Sequence, residues 1–422
     1  MKHYSVKNFS TTLALTGLVL TSGNAFSADT ASETPAFWLQ SGLNTLKASE
    51  KLNANERTAK NVILFVGDGM GVSTITAARI LEGQSKEGNR GGEEHSLSFE
   101  TLPYSAFSKT YSVNQQTSDS APTMTAMITG VKTNDGELSV GKEVVRQEKS
   151  ADVINAHKVK TLIEQAEEKG LSTGIVSTAR LTHATPAACY AHTSDRDWES
   201  DAQLPAGATV KDIASQLIEF SYGNGLEVAL GGGRSYFLPT SLPDPENSGK
   251  TGGRKDGRDL TQEWLSKYAR SAYVYDKAGF DAINAKTTDH LLGLFERSHM
   301  QYEHDRPDDT GGEPSLTEMT EKAIDILSKN KKGYVLMVEA GRIDHGHHAG
   351  NAYRALTDTI ELSNAVRKAL EKTNTKDTLI VVTADHSHTF TIAGYPERGN
   401  PILGLVKQPG DANYAKDKNG LP

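Results

Sequence analysis

Cysteine is almost absent from this chain of 422 residues, since Cys189 is the only one. A single thiol excludes an intrachain disulfide, so the folded state must rely on core size, bound metals or association between chains. Cys189 lies in the segment PAACYAH, which is typical of a small buried apolar residue rather than a nucleophile. The sequence therefore excludes a small domain held together by disulfides.

The chain also lacks an excess of positive charge. Its formal net charge is −8 at pH 7, which argues against a nucleic-acid-binding protein. Hydrophobic residues make up 36% and charged residues 23%, an ordinary balance for a soluble globular protein. The length fits one large α/β domain or two smaller ones.

Apolar runs long enough to span a membrane are missing after the N-terminal region. Residues 1–27 contain two early lysines, the apolar segment TTLALTGLVL, which is too short to cross a bilayer, and the small residues Ala25 and Ser27. This pattern predicts a secretory signal peptide cleaved after Ser27, with a short membrane anchor as the alternative. We therefore expect the mature chain, residues 28–422, to be exported to the periplasm or the extracellular space without a membrane span.

Short β-branched runs alternate with helical patterns along the rest of the chain. Continuous apolar runs of this length are typical of strands buried on both faces of a parallel sheet. The predicted strands are 61–69, 172–179, 226–233, 334–341 and 378–386, and the predicted helices are 152–170, 210–220, 315–330 and 352–373. This alternation predicts a doubly wound α/β fold with a mostly parallel central sheet flanked by helices.

Three segments fall outside that alternation. Residues 34–53 predict an amphipathic N-terminal helix, and residues 238–258 and 303–314 have the composition of loops, rich in Pro, Gly, Asp and Asn. Both loops are long enough to have a role beyond connection.

Three of the predicted strands finish in acidic residues, Asp68, Glu339 and Asp385, and His386 directly follows Asp385 in the chain. Ligands of open α/β sheets bind at the carboxyl ends of the strands. Each carboxylate could instead cap the helix that follows it, where a negative charge is favoured. Capping does not account for the histidines nearby, so we favour a metal site.

The segment EAGRIDHGHH adds a second set of candidate ligands. Asp344 and His348 are four residues apart, which places both on one face of a helical turn. Carboxylate with imidazole suits Zn²⁺, whereas carboxylate with hydroxyl and water suits Mg²⁺.

Ser120 is the candidate nucleophile, in the segment TSDSAPTMTAMITGVKT. Helix-compatible residues follow it and Gly130 is a suitable helix stop, so Ser120 lies near a helix N-terminus that can hold phosphate. No Gly-x-Ser-x-Gly motif is present, and a metal ion would have to activate the hydroxyl. Taken alone, this segment favours a simple helix cap. Arg196 is a further candidate, as a clamp for phosphate oxygens or as a surface residue.

Five segments in order resemble the motifs of alkaline phosphatases, more closely the animal-type enzymes than the enteric bacterial form. They are LFVGDGMGVSTITAARI, SDSAPTMTAMITGVKTNDG, STARLTHATPAACYAHTSDRDW, MVEAGRIDHGHHAGNAYRALTDT and VTADHSHTFTIAGYPERGNPILGLV. The resemblance runs from about Thr34 to the end of the chain. It implies hydrolysis of phosphate monoesters through a phosphoserine intermediate at a centre of two Zn²⁺ and one Mg²⁺.

The resemblance also implies a role for each candidate residue. Ser120 would be the nucleophile and Arg196 the phosphate clamp. The metal ligands would be Asp68 between the second zinc and the magnesium, Thr185 and Glu339 at the magnesium, His183 in its water shell, Asp344 and His348 at the first zinc, and Asp385 and His386 at the second. His345 and His347 would not be ligands.

A fourth, calcium-type site is implied within an insert at about 238–314. Its ligands would be Glu246, the Phe295 carbonyl, Glu296 and Glu313, with Asp308 and Asp309 as alternatives to Glu313. A solvated acidic loop is the competing interpretation.

The chain departs from the family pattern at two places. Pro122 replaces a small residue, which the first turn of a helix tolerates. The third ligand of the first zinc, a late histidine, has no match before Pro422, so we expect a C-terminally incomplete catalytic domain with weak or no turnover. The alternatives are a phosphodiesterase or sulfatase of the same fold, or an inactive phosphate- or metal-binding fragment. The implied partners are small phosphomonoesters and a second copy of the chain.

Overall fold

The computed structural model describes residues 33–52, 55–86 and 91–422, so the predicted signal peptide lies outside the described residues. Within them, one sheet of seven strands has the order β4-β5-β3-β2-β6-β1-β7, and every neighbouring pair is parallel. The predicted α/β class and parallel sheet are confirmed.

The strands are β1 (Asn61–Gly67), β2 (Ser172–Arg180), β3 (Val228–Gly232), β4 (Ser271–Val274), β5 (His290–Leu294), β6 (Tyr334–Ala340) and β7 (Thr378–Ala384). The helices are α1 (Pro35–Ser49), α2 (Val72–Lys86), α3 (Ser120–Thr129), α4 (Ala151–Ala156), α5 (Leu162–Glu168), α6 (Ala184–Ala187), α7 (Ile213–Glu219), α8 (Leu260–Lys267), α9 (Lys277–Ala282), α10 (Leu316–Leu327), α11 (Arg342–His348) and α12 (Ala352–Lys372).

Two apolar layers cover the two faces of the sheet. Alternate residues of one strand enter different layers, as Val66 and Phe65 of β1 do. One layer includes residues of α3, α5, α7 and α8, and the other includes residues of α10 and α12. Burial on both faces explains why the central strands are continuous apolar runs.

The prediction of one helix over 152–170 is wrong. The chain forms α4 and α5 with an extended segment between them, in which Lys158 pairs with Val140 and the Val159 N–H donates to the Ser139 carbonyl. Thr161 then starts α5 with a capping box, because its hydroxyl accepts from the Glu164 N–H while the Glu164 carboxylate accepts from the Thr161 N–H.

The N-terminal helix is present as α1, and none of its residues is buried in the single chain. Apolar side chains such as Trp38, Leu39 and Leu46 lie on its surface, each at least half exposed. No helix in the described ranges combines the length and apolarity needed to cross a bilayer.

Candidate active site

Three carboxylates meet where β6, β1 and β7 end, as the sequence predicts. Asp68 follows β1, Glu339 is the penultimate residue of β6 and Asp385 follows β7, and all three are buried. Gly69 has a φ of 63°, which favours glycine, and its N–H donates to Asp385 Oδ1 at 3.1 Å. The parallel register therefore gathers acidic side chains that lie far apart in the chain.

This crowding of carboxylates raises their pKa values. Burial, followed by the charges of Asp385, Asp344 and Glu339, raises the pKa of Asp68 well above its ordinary value. Burial and neighbouring carboxylates raise the pKa of Glu339 to about 7, although a hydrogen bond from Ser177 acts in the opposite direction. A cluster of buried acids with raised pKa values is typical of a site that binds cations.

Ser120 is the first residue of α3, and Asp119 is its N-cap. The Asp119 side chain makes no capping hydrogen bond. Ser120 Oγ donates to Asp68 at 3.1 Å from Oδ1 and 3.2 Å from Oδ2, and lies 3.4 Å from His386 Nε2. The helix ends at Gly130, which has a φ of 78°. A hydroxyl thus lies between a carboxylate and an imidazole at a helix N-terminus.

Arg196 is held from two sides beside Ser120. Its Nη1 forms an ion pair with Asp119, and its Nη2 donates to His183 Nε2 at 2.9 Å. Burial by itself would raise the pKa of Asp119, but the Arg196 guanidinium lowers that pKa below its usual range. The guanidinium is therefore fixed next to the hydroxyl rather than free on the surface.

Most of the predicted metal ligands fall into two groups that share Asp68. One contains His183 and Glu339 and the other contains Asp344 and His386, and within each group the ligand atoms lie within 4.8 Å of one another. Several buried ligand atoms have no hydrogen-bond partner, namely His183 Nδ1, Thr185 Oγ1, Glu339 Oε1 and Asp344 Oδ1. Unpaired buried polar atoms are costly, and bound cations would satisfy the oxygen atoms among them. The residues present therefore fit a metal centre.

Asp344 and His348 share a face of α11, with Asp344 Oδ2 at 3.3 Å from His348 Nε2. His388, which is not among the predicted ligands, lies on the other side of the same carboxylate, 3.5 Å from Asp344 Oδ1. These three residues form a further group with ligand atoms within 4.8 Å. The DHSH motif carries His388, but only the fold brings it to α11.

The acidic insert contains a separate group of carboxylates, formed by Glu246, Glu296 and Asp309. Glu296 follows Phe295, which comes directly after β5. The third carboxylate is Asp309, one of the two alternatives, rather than Glu313. One oxygen of Glu313 accepts from the Gln301 N–H at 2.8 Å and the other has no partner. Arg234 Nη2 already forms an ion pair with Glu246 Oε2, at 2.6 Å.

The two histidines expected not to bind metal have other contacts. His347 Nε2 lies 2.9 Å from Thr74 Oγ1, and His345 Nδ1 accepts from Arg342 at 2.9 Å. His345 also forms a cluster with His183 and His299, whose ring nitrogens lie within 4.8 Å of one another. His299 lies outside the five sequence segments that resemble family motifs.

Comparison with known proteins agrees with this geometry. The alkaline phosphatase family profile matches residues 59–417. The tissue-nonspecific alkaline phosphatase of Gallus gallus is 46% identical over 391 residues, which cover 90% of this chain and 73% of that protein.

Solved structures give the same relationship. The alkaline phosphatase of Thermus thermophilus superimposes with a TM-score of 0.63 and 29% identity, over 82% of this chain and 63% of that one, so the chain spans less than two thirds of that enzyme. A variant of the TAB5 alkaline phosphatase, with 25% identity and a TM-score of 0.59 over 79% of each chain, was solved with Mg bound. The chain belongs to the alkaline phosphatase family of metal-dependent phosphomonoesterases.

Proposed function

We propose that this protein hydrolyses phosphate monoesters to an alcohol and inorganic phosphate, with Ser120 as the nucleophile. The observation that carries the proposal is the position of the Ser120 hydroxyl, which lies 3.1 Å from Asp68 at the N-terminus of α3 and beside the fixed Arg196 guanidinium. These are the parts that phosphoryl transfer needs: a nucleophile, a proton acceptor and a clamp for the phosphate oxygens.

The reaction proceeds in two displacements. Ser120 Oγ forms a bond to phosphorus as the ester P–O bond breaks, and the Ser120 proton passes to the Asp68 carboxylate. The leaving oxygen takes a proton from solvent water and departs as the alcohol. A water molecule then attacks the phosphoserine, the P–Oγ bond breaks, and phosphate leaves as Ser120 regains a proton. No oxidant or reductant takes part.

Arg196 and the N-terminus of α3 stabilise the charge on the transferred group. A guanidinium can bind two equatorial oxygens at once, and backbone N–H groups at a helix N-terminus favour an anion. Because Asp119 and His183 already hold Arg196, little reorganisation is needed during the reaction.

The proposed metal complement is two Zn²⁺, one Mg²⁺ and a further Ca²⁺ in the insert. The residues that would hold the catalytic ions are Asp344 and His348 for the first zinc, Asp385, His386, Asp68 and Ser120 for the second, and Asp68, Thr185 and Glu339 for the magnesium, with His183 contacting the magnesium through water. When bound, these ions supply the positive charge that lowers the pKa of hydroxyl groups and stabilises the entering and leaving oxygens. Glu246, Glu296 and the Phe295 carbonyl, with Asp309 or Glu313, would hold the calcium.

Substrate class is the first test. We expect turnover of a chromogenic phosphate monoester to exceed that of the matched diester and sulfate ester, and removal of metals with a chelator to abolish it. Equal or faster turnover of the diester or the sulfate ester would instead establish the phosphodiesterase or sulfatase alternative.

The nucleophile is tested separately. A quench at mildly acidic pH, followed by mass spectrometry of the peptide containing Ser120, should detect one added phosphoryl group. Ser120→Ala should abolish both the modification and turnover, while Ser118→Ala, two residues earlier, should retain both. Modification of a residue other than Ser120 would contradict the proposal.

Export and assembly are also part of the proposal. The N-terminal sequence pattern supports a periplasmic or extracellular location for residues 28–422 as one catalytic domain. The exposed apolar side chains of α1 support a homodimer in which this helix is covered by the second copy.

A further inference from the structure

We propose that a second anion subsite lies beside the phosphate clamp, formed by Arg342, His345 and His299, and that it selects phosphoryl substrates carrying a second anionic group, either phosphate or carboxylate. This inference rests on the proposed function, because it adds a specificity element to the same site.

Three guanidinium groups surround the histidine cluster. Arg196 donates to His183, Arg342 donates to His345 and Arg180 lies against His299. Since a guanidinium can only donate hydrogen bonds, the contacts to His183 and His345 each need a ring nitrogen with a free lone pair.

The positive charge of the cluster is only partly neutralised. Arg196 pairs with Asp119, and Arg180 forms two bonds to Glu199, at 2.6 and 2.8 Å. Arg342 forms no ion pair with a carboxylate in the part of the chain that the structure describes.

The nearest acidic groups that act on Arg342 are engaged elsewhere. Asp358 accepts from the Glu303 N–H at 3.1 Å, and Glu313 accepts from the Gln301 N–H. The Arg342 guanidinium instead stacks on the Tyr302 ring, with its carbon 3.8 Å from the ring centroid. One arginine charge next to the catalytic centre is therefore available to an anion.

Hydrogen-bond donors without acceptors accompany this charge. Arg342 Nε is buried and has no partner. Because His345 Nδ1 accepts from Arg342, the neutral ring carries its proton on Nε2, for which the described residues provide no acceptor. Both donors need an oxygen, which an anionic group would provide.

His299 lines the same space, with its ring centroid 4.2 Å from that of His345. Its Nδ1 accepts from the Arg180 N–H at 3.2 Å, and its Nε2 lies against the Arg180 guanidinium. The site is reachable, because His299 and His345 are half-buried and the Arg180 side chain is 16% exposed.

The subsite lies beside the phosphate clamp in space, with the His183 ring between them. The His183 ring, which accepts from Arg196, has its centroid 5.2 Å from that of His299 and 5.4 Å from that of His345. A short substrate can therefore place one anionic group at Arg196 and another at Arg342.

The test compares substrates with and without a second anion on the metal-loaded protein. We expect the ratio of kcat/KM for pyrophosphate, and for phosphoglycolate as the carboxylate arm, over 4-nitrophenyl phosphate to fall about tenfold in Arg342→Met, because a charge-assisted hydrogen bond is lost. Arg354→Met is the matched control, since Arg354 stacks on the same Tyr302 ring but pairs with Asp305 at 2.8 Å. Its ratio should stay at the parent value.

A second variant and a binding measurement distinguish loss of the subsite from misfolding of Arg342→Met. His299→Asp places a negative charge in the subsite and should lower the same ratios. Methylenediphosphonate, which is not hydrolysed, should inhibit the parent protein more strongly than phosphate but lose that advantage in both variants. Ratios and inhibition unchanged in folded Arg342→Met and His299→Asp would overturn the subsite. Faster turnover of the matched diester or sulfate ester than of 4-nitrophenyl phosphate by the parent would overturn the proposed function instead.

Discussion

At the scale of single residues, the site is defined by buried polar atoms that the protein leaves unpaired. Thr185 Oγ1 and Glu339 Oε1 have no hydrogen-bond partner although both residues are fully buried. Such atoms destabilise a folded chain unless a ligand satisfies them. The same atoms therefore lower the stability of the metal-free protein and, under the proposed function, would bind the cation in the loaded one.

Thr185→Val tests this opposition directly. Valine has a similar shape but no hydroxyl, so we expect the metal-free protein to gain on the order of 1 kcal/mol in the free energy of unfolding. The magnesium affinity of the loaded protein should fall about tenfold or more, because a ligand is lost. Chemical denaturation in chelator and a magnesium titration measure the two effects.

Thr178→Val is the matched control, since the Thr178 hydroxyl accepts from the Arg342 N–H at 3.2 Å instead of being unpaired. It should destabilise the metal-free protein rather than stabilise it. A loss of stability in metal-free Thr185→Val would contradict the idea that its hydroxyl is unpaired.

At the scale of elements, the capping box of α5 decides where one predicted helix divides into two. Thr161 caps α5, and its hydroxyl also donates to the Cys189 carbonyl at 2.8 Å. The segment before it is pulled out of helical geometry by its pairing with residues 139–141. This division fixes α5 against the loop that leads to Arg196.

Thr161→Ala should lower the free energy of unfolding by about 1–2 kcal/mol, since both the cap and the bond to Cys189 are lost. Urea denaturation measures the change. Ser150→Ala removes the cap of α4, whose bond to the Val153 N–H is exposed and 3.4 Å long. It should lower the free energy of unfolding by less than Thr161→Ala does. Equal costs for the two variants would show that burial of the α5 cap adds nothing.

At the scale of the whole molecule, stability depends on pH through a buried acidic pair away from the active site. Burial, and then the charge of Glu227, raises the pKa of Glu167 to about 8 from an ordinary value of 4.5. The folded chain thus binds more protons than the unfolded chain between these values. Stability contributed by protonated Glu167 is present at low pH and is lost as the pH rises toward about 8.

Glu167→Gln should remove that loss. We expect its stability advantage over the parent to be small near pH 5 and to grow to on the order of 1 kcal/mol or more near pH 9, measured by thermal unfolding in matched buffers. Glu168→Gln is the control, since this neighbour is 45% exposed and pairs with Lys160. An advantage of Glu167→Gln that does not grow with pH would contradict the raised pKa.

The sequence predicted the central strands because each is a continuous apolar run, and such runs reflect burial on both faces. β4 and β5 were missed: SAYV is only partly buried in the structure and HLLGL is a five-residue run, and short segments of this kind lack a clear pattern. The acidic residues at the carboxyl ends of β1, β6 and β7 were identifiable as a site because parallel strands end at one edge.

Sequence by itself determined the α/β class and the parallel sheet, because these depend on residue type and on spacing within single segments. The candidate nucleophile and most of the candidate ligands came from the resemblance of its motifs to those of a known family. Tertiary structure alone decided that Asp309 joins Glu246 and Glu296, that His388 lies beside Asp344, and that His299 reaches His183 and His345. Contacts of this kind depend on how loops pack across the sheet edge, and no local pattern of residues specifies that packing.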